Sequence, residues 1–381
     1  MAKLRAVLFG ATGIAGQQFV SALHGHPWFE LAAVAASPRN AGRRYAEALG
    51  AGGWHLAEPI PPAVAALELL DPGAVRPEAY QLAFSAVEAD VARELEPRLA
   101  KAIPVFSTAS AFRMERDVPL LIPPVNGSHL GLVRTQRSRG FSGYIVPIPN
   151  CTVTGLAVAL APLDQRFGVR AAIVTSLQAV SGAGRSPGVA AVDVMDNVLP
   201  FIPKEEGKVE SESRKILGRW KPGQAEVEAH PMRVSATCTR VAVLDGHTES
   251  VSVSLGRPAA LEEVRSALRD WPGDPTARAL PSTPPRWIEV LDAPDRPQPR
   301  LDRDTHGGMA TTVGRLREDP VLEHGVKLLL VSHNTKLGAA KGAVLVAELA
   351  KSQGLLGAFS EATRGQPPPS DEALGSEPRV H

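Results

Sequence analysis

The first 150 residues alternate short apolar segments with helical ones, and this alternation constrains the fold more than any other feature of the sequence. The segments "RAVLFG", "ELAAVAAS", "LAFSAV" and "IPVFSTAS" have the apolar character of buried strands. Between them, "AGQQFVSALHGH" and "VARELEPRLAKA" have helical spacing. Such alternation is typical of a parallel sheet with helices on both faces. The sequence therefore predicts an α/β domain over residues 1–150.

The sequence pattern changes after a helical segment that begins near residue 151. Longer β-rich segments follow from about residue 169, among them "VRAAIVTSLQAVSG", "MRVSATCTRVAVLDGHTESVSVSL", "MATTVGRLR" and "VKLLLVSHN". They predict an α+β domain over residues 151–333 with a mixed or antiparallel sheet. The helical "GAAKGAVLVAELAKSQ" leads us to expect that residues from about 334 to 360 pack back on the first domain. The polar, proline-rich residues 364–381 are expected to be disordered.

Composition limits the classes of partner. The 41 basic and 40 acidic residues give a net charge of +1, so no global field recruits nucleic acid or a membrane surface. The chain has neither a signal-peptide pattern nor 18 consecutive apolar residues. Its two cysteines cannot form a disulfide framework and lack metal-ligand spacing. We therefore expect a cytoplasmic protein that binds small molecules and no metal.

A glycine-rich turn, "GATGIAGQ", follows the first predicted strand. Gly10, Gly13 and Gly16 stand between that strand and a helical run. In a strand–turn–helix unit of this kind, backbone N–H groups and the helix N-terminus hold a pyrophosphate. A tight turn with only a structural role is the alternative. In context, the pattern predicts a Rossmann-like dinucleotide site.

The end of the second predicted strand favours NADP over NAD. In "VAASPRNAGRRY", no acidic residue stands where it would bind the ribose 2′-hydroxyl group. Ser37, Arg39, Arg43 and Arg44 cluster there instead, and a guanidinium group suits a 2′-phosphate. The alternative is that these arginines form only a solvated loop.

One cysteine has an unusual context, in "PIPNCTVTGLAVALAPL". Asn150 is a good N-cap residue, and the leucines that follow recur at helical steps, so Cys151 is expected in the first turn of a helix. The helix dipole and free N–H groups there favour a thiolate and lower its pKa, which is typical of a nucleophile. The alternative is a buried structural cysteine. Cys238, in "VSATCTRVAV", fits that alternative as a strand residue in the core.

A dinucleotide site and a cysteine nucleophile together suggest oxidation of an aldehyde through a thioester. This chemistry needs an acid/base group. His247 follows a turn signal in "LDGHTES" and stands seven residues after Arg240, so we expect a hairpin that brings both residues to one pocket. A surface or structural histidine is the alternative.

Several motifs, in order, resemble one family. "GATGIAGQ", "PNCT", "SLQAVSGAG", "CTRVAVLDGHTE", "DRPQPRLDRD" and "LLVSHNTKLGAAKGAVLVAEL" are similar to the aspartate-β-semialdehyde dehydrogenases of the archaeal and fungal branch. The resemblance runs from about residue 4 to about residue 352. It implies NADPH-dependent reductive dephosphorylation of L-aspartyl 4-phosphate to L-aspartate 4-semialdehyde, on the route to lysine, methionine and threonine.

The resemblance also implies roles for individual residues. Cys151 matches the nucleophile, His247 the acid/base and Gln178 the residue that positions the acyl group. The residues that match substrate and phosphate contacts are Arg240, Arg113, Glu205, Lys208 and Asn150. The residues expected at the cofactor are Gly10, Thr12, Gly13, Ile14, Gly16, Ser37, Arg39, Ser85, Ser181, Gly182, Gly184 and Asn334. Family members form homodimers or homotetramers through the second domain, and inorganic phosphate is a reactant.

Departures from the family pattern leave alternatives open. The chain has "VPIPNC" before the helix, Thr108 in place of Asn, different residues at Pro124, Gly127 and Ser128, and one extra residue around Arg185–Ser186. The nearest alternative keeps the chemistry and changes the acyl donor, as in a malonyl-CoA reductase. A non-redox thiol acyltransferase or hydrolase is an alternative from another class, and a non-catalytic nucleotide-sensing protein is a third.

Overall fold

Two six-stranded sheets organise the protein, seen in a computed structural model that describes residues 2–184 and 188–356. The expected disordered segment at 364–381 and the extra residue at Arg185–Ser186 lie outside the described residues. None of the described helices is long and apolar enough to cross a membrane. The strands and helices carry one numbering, in chain order.

The first sheet is entirely parallel, with the strand order β3-β2-β1-β4-β5-β6. Its strands are β1 (Leu4–Phe9), β2 (Phe29–Ala35), β3 (Leu69–Leu70), β4 (Leu82–Ser85), β5 (Val105–Ser107) and β6 (Ile145–Pro147). Helices cover both faces, which is why the strands are continuous apolar runs. The chain winds outward in opposite directions from β1 and β4, and a crevice opens beyond their carboxyl ends. The predicted Rossmann-like fold is confirmed.

Residues 2–150 also contain six α-helices. These are α1 (Ile14–Leu23), α2 (Tyr45–Leu49), α3 (Pro62–Ala65), α4 (Ala89–Ala100), α5 (Pro123–Asn126) and α6 (Val133–Arg137). Helix α1 follows β1 directly and leads to β2, so the predicted strand–turn–helix unit is present.

The second sheet is mixed, as predicted, with the strand order β10-β11-β12-β9-β7-β8. Its strands are β7 (Val169–Gln178), β8 (Arg233–Arg240), β9 (His247–Leu255), β10 (Ile288–Leu291), β11 (Thr311–Asp319) and β12 (Gly325–Ser332). The pairs β7–β8 and β10–β11 are parallel, and the others are antiparallel.

The expected hairpin between β8 and β9 is wrong, because β7 lies between these two strands. The loop that joins them crosses the end of β7 and forms hydrogen bonds with the segment that follows it. The N–H of Val180 donates to the carbonyl of Val243 at 2.8 Å, and the N–H of Ser181 donates to the carbonyl of Leu244 at 3.2 Å. The loop therefore pairs with residues after β7 and does not join β8 and β9 as a hairpin.

Helices cover one face of the second sheet. The α-helices described after residue 150 are α7 (Cys151–Phe167), α8 (Ala191–Val194), α9 (Glu205–Ile216), α10 (Leu261–Arg269), α11 (Pro299–Asp302) and α12 (Lys341–Ser352). Helix α7 is buried over most of its length and packs against β7, β9, β11 and β12, while α9 packs against β8. The opposite face leaves Ile173 and Leu177 of β7 exposed.

The last helix returns to the first sheet. Helix α12 packs against α1 and β5, and a π-type turn at Lys336–Ala340 precedes it. The imidazole of His26 contacts the buried carboxylate of Glu348 at 2.7 Å, and that carboxylate also accepts the N–H of Ser282 at 3.0 Å. The last described helix therefore completes the core around the first strands.

Candidate active site

The glycine turn after β1 needs its first and third glycines for steric reasons. Gly10 has φ +76°, and a Cβ atom there would lie 2.4 Å from the carbonyl oxygen of Ala86. A Cβ atom at Gly16 would lie 2.2 Å from the carbonyl oxygen of Gly10, so only glycine lets α1 start this close to the turn. Gly13 is the N-cap of α1 and provides no side-chain cap, so the first-turn N–H groups of the helix receive no acceptor from the cap residue. Ile14 begins this helix, after Thr12 in the turn. A helix N-terminus arranged in this way can bind an anionic group.

The end of β2 adjoins this turn, because the N–H groups of Gly10 and Ala11 both donate to the carbonyl of Ala35. Ser37 and Arg39 follow and are exposed. Within the described part of the chain, the Arg39 guanidinium has no hydrogen bond or ion pair, whereas Arg43 donates to the carbonyl of Glu47 at 2.7 Å. The guanidinium of Arg44 is likewise exposed and without such a bond among the described residues, so Arg39 and Arg44 are the two arginines of this cluster that remain available to an anionic group.

Ser85 ends β4 at the floor of the same crevice and is fully buried. Its carbonyl accepts the N–H of Thr108 at 2.9 Å. The carbonyl of Thr108 in turn accepts a hydrogen bond from Arg113 at 2.8 Å. This connection places the departure at Thr108 between the predicted cofactor site and the predicted phosphate site.

Cys151 begins α7, and Asn150 caps that helix. The side-chain oxygen of Asn150 accepts the N–H groups of Thr152 and Val153 at 2.9 and 3.4 Å. The sulfur of Cys151 lies 3.1 Å from Nε2 of His247. The structure thus brings together the two residues that the sequence assigned to the chemical step.

Strand register aligns the other predicted residues with this pair. Gln178 and Arg240 face each other at the ends of β7 and β8, and His247 begins β9 at the same edge. All three are buried, with exposed fractions of 1%, 5% and 0%. The residue after Gln178 connects the other two: the N–H of Ala179 donates to Nδ1 of His247 at 3.0 Å, and its carbonyl accepts Nη1 of Arg240 at 2.8 Å.

Charged side chains surround the cysteine. Arg113 pairs with Glu212 at 3.1 Å, and Lys208 pairs with Glu205 at 3.2 Å. Glu205 also accepts a hydrogen bond from the side chain of Asn150. In the part of the chain that the structure describes, Arg240 forms no ion pair, although it is buried. A buried, uncompensated guanidinium favours binding of an anionic group such as a carboxylate.

The expectation of a lowered thiol pKa is wrong. Cys151 keeps partial solvent contact, yet protein surrounds it, and this burial raises the pKa of its thiol to about 12. The carboxylate of Glu205 raises it further, while Arg113, Arg240 and the N–H of Thr152 lower it and are outweighed. The helix start alone therefore does not keep this sulfur ionised.

The imidazole of His247 is also held neutral. Burial, and then the positive charge of Arg240, lower its pKa to about 3. Burial therefore disfavours the charged form of both members of this pair.

The predicted nicotinamide-side residues surround the histidine. A Cβ atom at Gly182 would lie 3.0 Å from Nη1 of Arg240 and 3.2 Å from Cε1 of His247. Asn334 accepts the N–H of Gly246 and donates to the hydroxyl group of Ser181, both at 2.8 Å. The Asn334 amide therefore links the loop that contains Gly246 to the turn that contains Ser181. Gly184 ends the turn with φ +72°.

Sequence reasoning missed three groups at this site. Glu212 accepts the N–H of Asn150 at 2.7 Å, in addition to its ion pair with Arg113. It stands seven residues after Glu205 on α9, on the same helix face, and this spacing was a usable signal. Gly338, in the π-type turn, approaches Cys151 so closely that a Cβ atom would lie 3.0 Å from the cysteine Cβ. The third group is the N–H of Ala179, which no side-chain pattern could have revealed.

These features define a class: an α/β protein with a Rossmann-like dinucleotide-binding domain and a mixed-sheet domain, with a cysteine–histidine pair at the sheet edge. Two family models match the chain, the NAD-binding domain of semialdehyde dehydrogenases over residues 5–133 and their dimerisation domain over residues 160–337. The chain belongs to the semialdehyde dehydrogenase family, which confirms the resemblance seen in the motifs.

Relatives and a solved structure agree with this family. Proteins named aspartate-semialdehyde dehydrogenase include one from Archaeoglobus fulgidus, 45% identical over 347 residues, which cover 90% of this chain and 96% of that protein. One from Cryptococcus neoformans is 43% identical over 368 residues and covers 93% and 98%. A crystal structure of aspartate semialdehyde dehydrogenase with NADP from Candida albicans has a TM-score of 0.83 and 39% identity, with 93% of this chain and 100% of that chain covered.

Proposed function

We propose that this protein is an aspartate-semialdehyde dehydrogenase, which reversibly converts L-aspartyl 4-phosphate to L-aspartate 4-semialdehyde with NADPH in the biosynthesis of lysine, methionine and threonine. The observation that carries the proposal is the 3.1 Å contact between the Cys151 sulfur and Nε2 of His247, beside a buried arginine without an acidic partner among the described residues. The names of the relatives at 43–45% identity support it.

The crevice beyond β1 and β4 fits NADP. The N-terminus of α1 would hold the pyrophosphate, Ser37 and Arg39 the 2′-phosphate, and Ser85 would line the floor. On the other side, Ser181, Gly182, Gly184 and Asn334 would border the nicotinamide. When bound, NADPH supplies the hydride. The Candida albicans relative was solved with NADP, which supports this choice of cofactor.

The cysteine site fits an acyl phosphate that carries an α-amino acid head. Cys151 forms the thioester, and Gln178 positions the acyl group beside it. Arg240 binds the α-carboxylate through its free N–H groups, and Glu205 contacts the α-amine. Arg113 and Lys208 assist the departing phosphate. His247 is the acid/base group and protonates the oxygen that becomes negatively charged on the thiohemiacetal.

The decisive experiment follows NADPH absorbance with aspartate semialdehyde and NADP, first with inorganic phosphate and then with CoA in its place. We expect phosphate-dependent NADPH formation. We expect Cys151→Ala to abolish it while the affinity for NADPH changes less than a few-fold, and Cys238→Ala, at the other cysteine, to keep it.

Other results would overturn the proposal in identifiable ways. CoA-dependent and phosphate-independent activity would indicate a malonyl-CoA reductase. Loss of NADPH binding would favour a non-redox thiol acyltransferase or hydrolase. Turnover by Cys151→Ala would exclude the thioester route.

We further propose a cytoplasmic homodimer built on the exposed face of the second sheet, with a homotetramer as the alternative. Ile173 and Leu177 lie on that face beside Thr175, Ser250 and Ser252, and it carries no charged residue at the centre of β7 and β9. The match to a dimerisation domain supports this assembly. We assign residues 1–150, with the returning segment from about 334, to the cofactor domain and 151–333 to the catalytic domain.

A further inference from the structure

Lys215 lies in the last turn of α9, outside the set of residues that the proposed chemistry uses. We propose that Lys215 is a positioning residue for phosphate binding: its ammonium group anchors the loop between β5 and α5, and this anchor fixes the place of Arg113 at the cysteine site. The inference deepens the proposed function and rests on it, because it concerns how the phosphate-binding arginine is held.

The loop that carries Arg113 has no regular structure of its own. Residues 108–122 join β5 to α5 and contain neither a helix nor a strand. Arg113 is nevertheless buried, with an exposed fraction of 7%. A segment without a helix or strand ladder depends on contacts from other elements to keep one conformation. The place of the Arg113 guanidinium therefore depends on what binds this loop.

Three carbonyl groups of the loop converge on the ammonium group of Lys215. Its Nζ atom donates to the carbonyl of Arg113 at 2.9 Å, to that of Glu115 at 2.6 Å and to that of Val118 at 2.9 Å. An ammonium group has three N–H donors and no acceptor, so these bonds use all of its donors. Lys215 itself is buried, with an exposed fraction of 7%. Its contacts hold the loop by the backbone on both sides of residue 115.

The guanidinium of Arg113 is held so that one donor stays open. Nη1 pairs with Glu212 at 3.1 Å, and Nη2 donates to the carbonyl of Thr108 at 2.8 Å. Nε is buried and has no hydrogen-bond partner among the described residues. An anionic ligand would satisfy such a donor. The positive charge of Arg113 also lowers the pKa of Cys151, so the guanidinium acts close to the sulfur.

Helix α9 connects this anchor to the rest of the phosphate site. Four of its residues recur at steps of three and four and so share one face of the helix: Glu205, Lys208, Glu212 and Lys215. The first two are predicted to contact the substrate, and the last two bind Arg113 and its loop. One helix therefore sets the separation of Lys208 and Arg113, the two cations assigned to phosphate. Without Lys215, Lys208 would keep its place and Arg113 would not.

The charge of Lys215 gives the anchor a pH dependence. Burial lowers the pKa of Lys215 to about 8. The acidic groups that face it oppose this effect and are outweighed: Glu115 and Asp117 in the loop, Glu212 on α9 and Glu226 in the segment after α9. His129 also faces Lys215 and is neutral in this range, since burial lowers its pKa to about 4. A neutral amine has only two N–H donors, so above about pH 8 it cannot bind all three carbonyl groups.

The first test is steady-state kinetics of the complete protein with aspartate semialdehyde, NADP and inorganic phosphate. Lys215→Met keeps the length of the side chain and removes the ammonium group. We expect the KM for phosphate to rise about tenfold and the KM for NADP to change less than about twofold. Lys221→Met is the matched control, because Lys221 is exposed, and we expect wild-type kinetics. An unchanged KM for phosphate in Lys215→Met, or equal changes in both KM values, would refute the positioning role.

The second test is the pH profile of the wild type and of Lys215→Arg, and it does not depend on whether Lys215→Met folds. An arginine keeps its charge and its donors throughout this range. We expect the KM for phosphate of the wild type to rise between about pH 7.5 and pH 9.5, and that of Lys215→Arg to rise less. The same profile in both proteins would contradict an anchor that depends on the Lys215 ammonium group.

Hydrogen–deuterium exchange tests the anchor without turnover. At about pH 7 we expect the amides of residues 110–118 to exchange faster in Lys215→Met than in the wild type, and at the wild-type rate in Lys221→Met. Unchanged exchange over these residues in Lys215→Met would overturn the inference. Faster exchange there, combined with no phosphate-dependent turnover of the wild type, would support the anchor and refute the proposed function.

Discussion

Glu212 shows how one side chain organises several functional groups. Its two carboxylate oxygens bind Arg113 at 3.1 Å and the N–H of Asn150 at 2.7 Å. One is the predicted phosphate-binding arginine and the other is the residue that caps α7. A buried carboxylate in this position compensates the arginine charge and fixes the helix start that carries Cys151. The position of the nucleophile therefore depends on a residue outside the predicted catalytic set.

Glu212→Gln is expected to destabilise the protein and weaken phosphate use. Removing one charge of a buried ion pair leaves Arg113 uncompensated, which costs on the order of 3–5 kcal/mol in such pairs. We expect a comparable fall in the free energy of unfolding, measured with urea, and a raised KM for phosphate. Glu226→Gln is the matched control, because its pair with Arg116 is exposed to solvent. Equal stability of the two variants would contradict this role of Glu212.

The strand–turn–helix unit consists of β1, the glycine turn and α1, and its backbone conformation depends on the positions of its glycines. Gly16 lies against the carbonyl of Gly10, whereas Gly13 has φ −74° and ordinary space around it. The two glycines are three residues apart in the same turn. Backbone packing therefore requires glycine at position 16, whereas the expected role of Gly13 is in cofactor binding.

Gly16→Ala is expected to lower the melting temperature of the protein without cofactor, because the added Cβ atom would lie 2.2 Å from a backbone oxygen. Gly13→Ala, with 3.6 Å to its nearest such atom, is expected to melt within a few degrees of the wild type. Differential scanning calorimetry of both variants makes the comparison. A Gly13→Ala protein that melts below Gly16→Ala would show that this account of α1 packing is wrong.

The elements also show what the sequence could and could not predict. Strand and helix positions follow from local periodicity, and Asn150 at the start of α7 follows from capping preference, so Cys151 was correctly placed. The order of β7, β8 and β9 depends on long-range pairing, which is why the expected hairpin is wrong. The pKa of Cys151 depends on the atoms packed around it, and these come from distant segments. The donor to Nδ1 of His247 is a main-chain group, which residue identity does not reveal.

At the scale of the whole molecule, several histidines are buried, and the pH dependence of the free energy of unfolding should reflect this. Burial lowers the pKa of His129 to about 4 and that of His333 to about 4. In the unfolded chain a histidine has a pKa near 6.5, so between about pH 6.5 and pH 4 the unfolded state binds protons that the folded state does not. These residues therefore reduce stability as the pH falls through that range. Glu96, with its pKa raised to about 7, has the opposite pH dependence.

His129→Gln is expected to flatten the fall in stability between about pH 6.5 and pH 4.5. One histidine contributes a slope of up to about 1.4 kcal/mol per pH unit, and comparison with the wild type removes the contribution of Glu96. Urea unfolding at a series of pH values measures the slope. If the two slopes are the same, His129 does not remain neutral in the folded protein.

Another prediction at the scale of the whole molecule concerns its oligomeric state. Ile173→Glu places a charge at the centre of the exposed sheet face, so we expect light scattering after size exclusion to give monomers for this variant and dimers for the wild type. Val321→Glu is the control, because Val321 is 84% exposed in the turn between β11 and β12. An unchanged mass for Ile173→Glu would locate the interface elsewhere.

The return of the last helix has a consequence for synthesis of the chain. Gln18 contacts Thr335 at 3.1 Å, and His26 contacts Glu348 at 2.7 Å, so residues of the first sheet's domain find partners that are translated more than 300 residues later. The first sheet can form while translation continues, but part of its apolar surface stays bare until residue 352 has emerged. Nascent chains of this protein should therefore remain chaperone clients until α12 has emerged, and a stop codon before α12 should yield a protein that cells degrade.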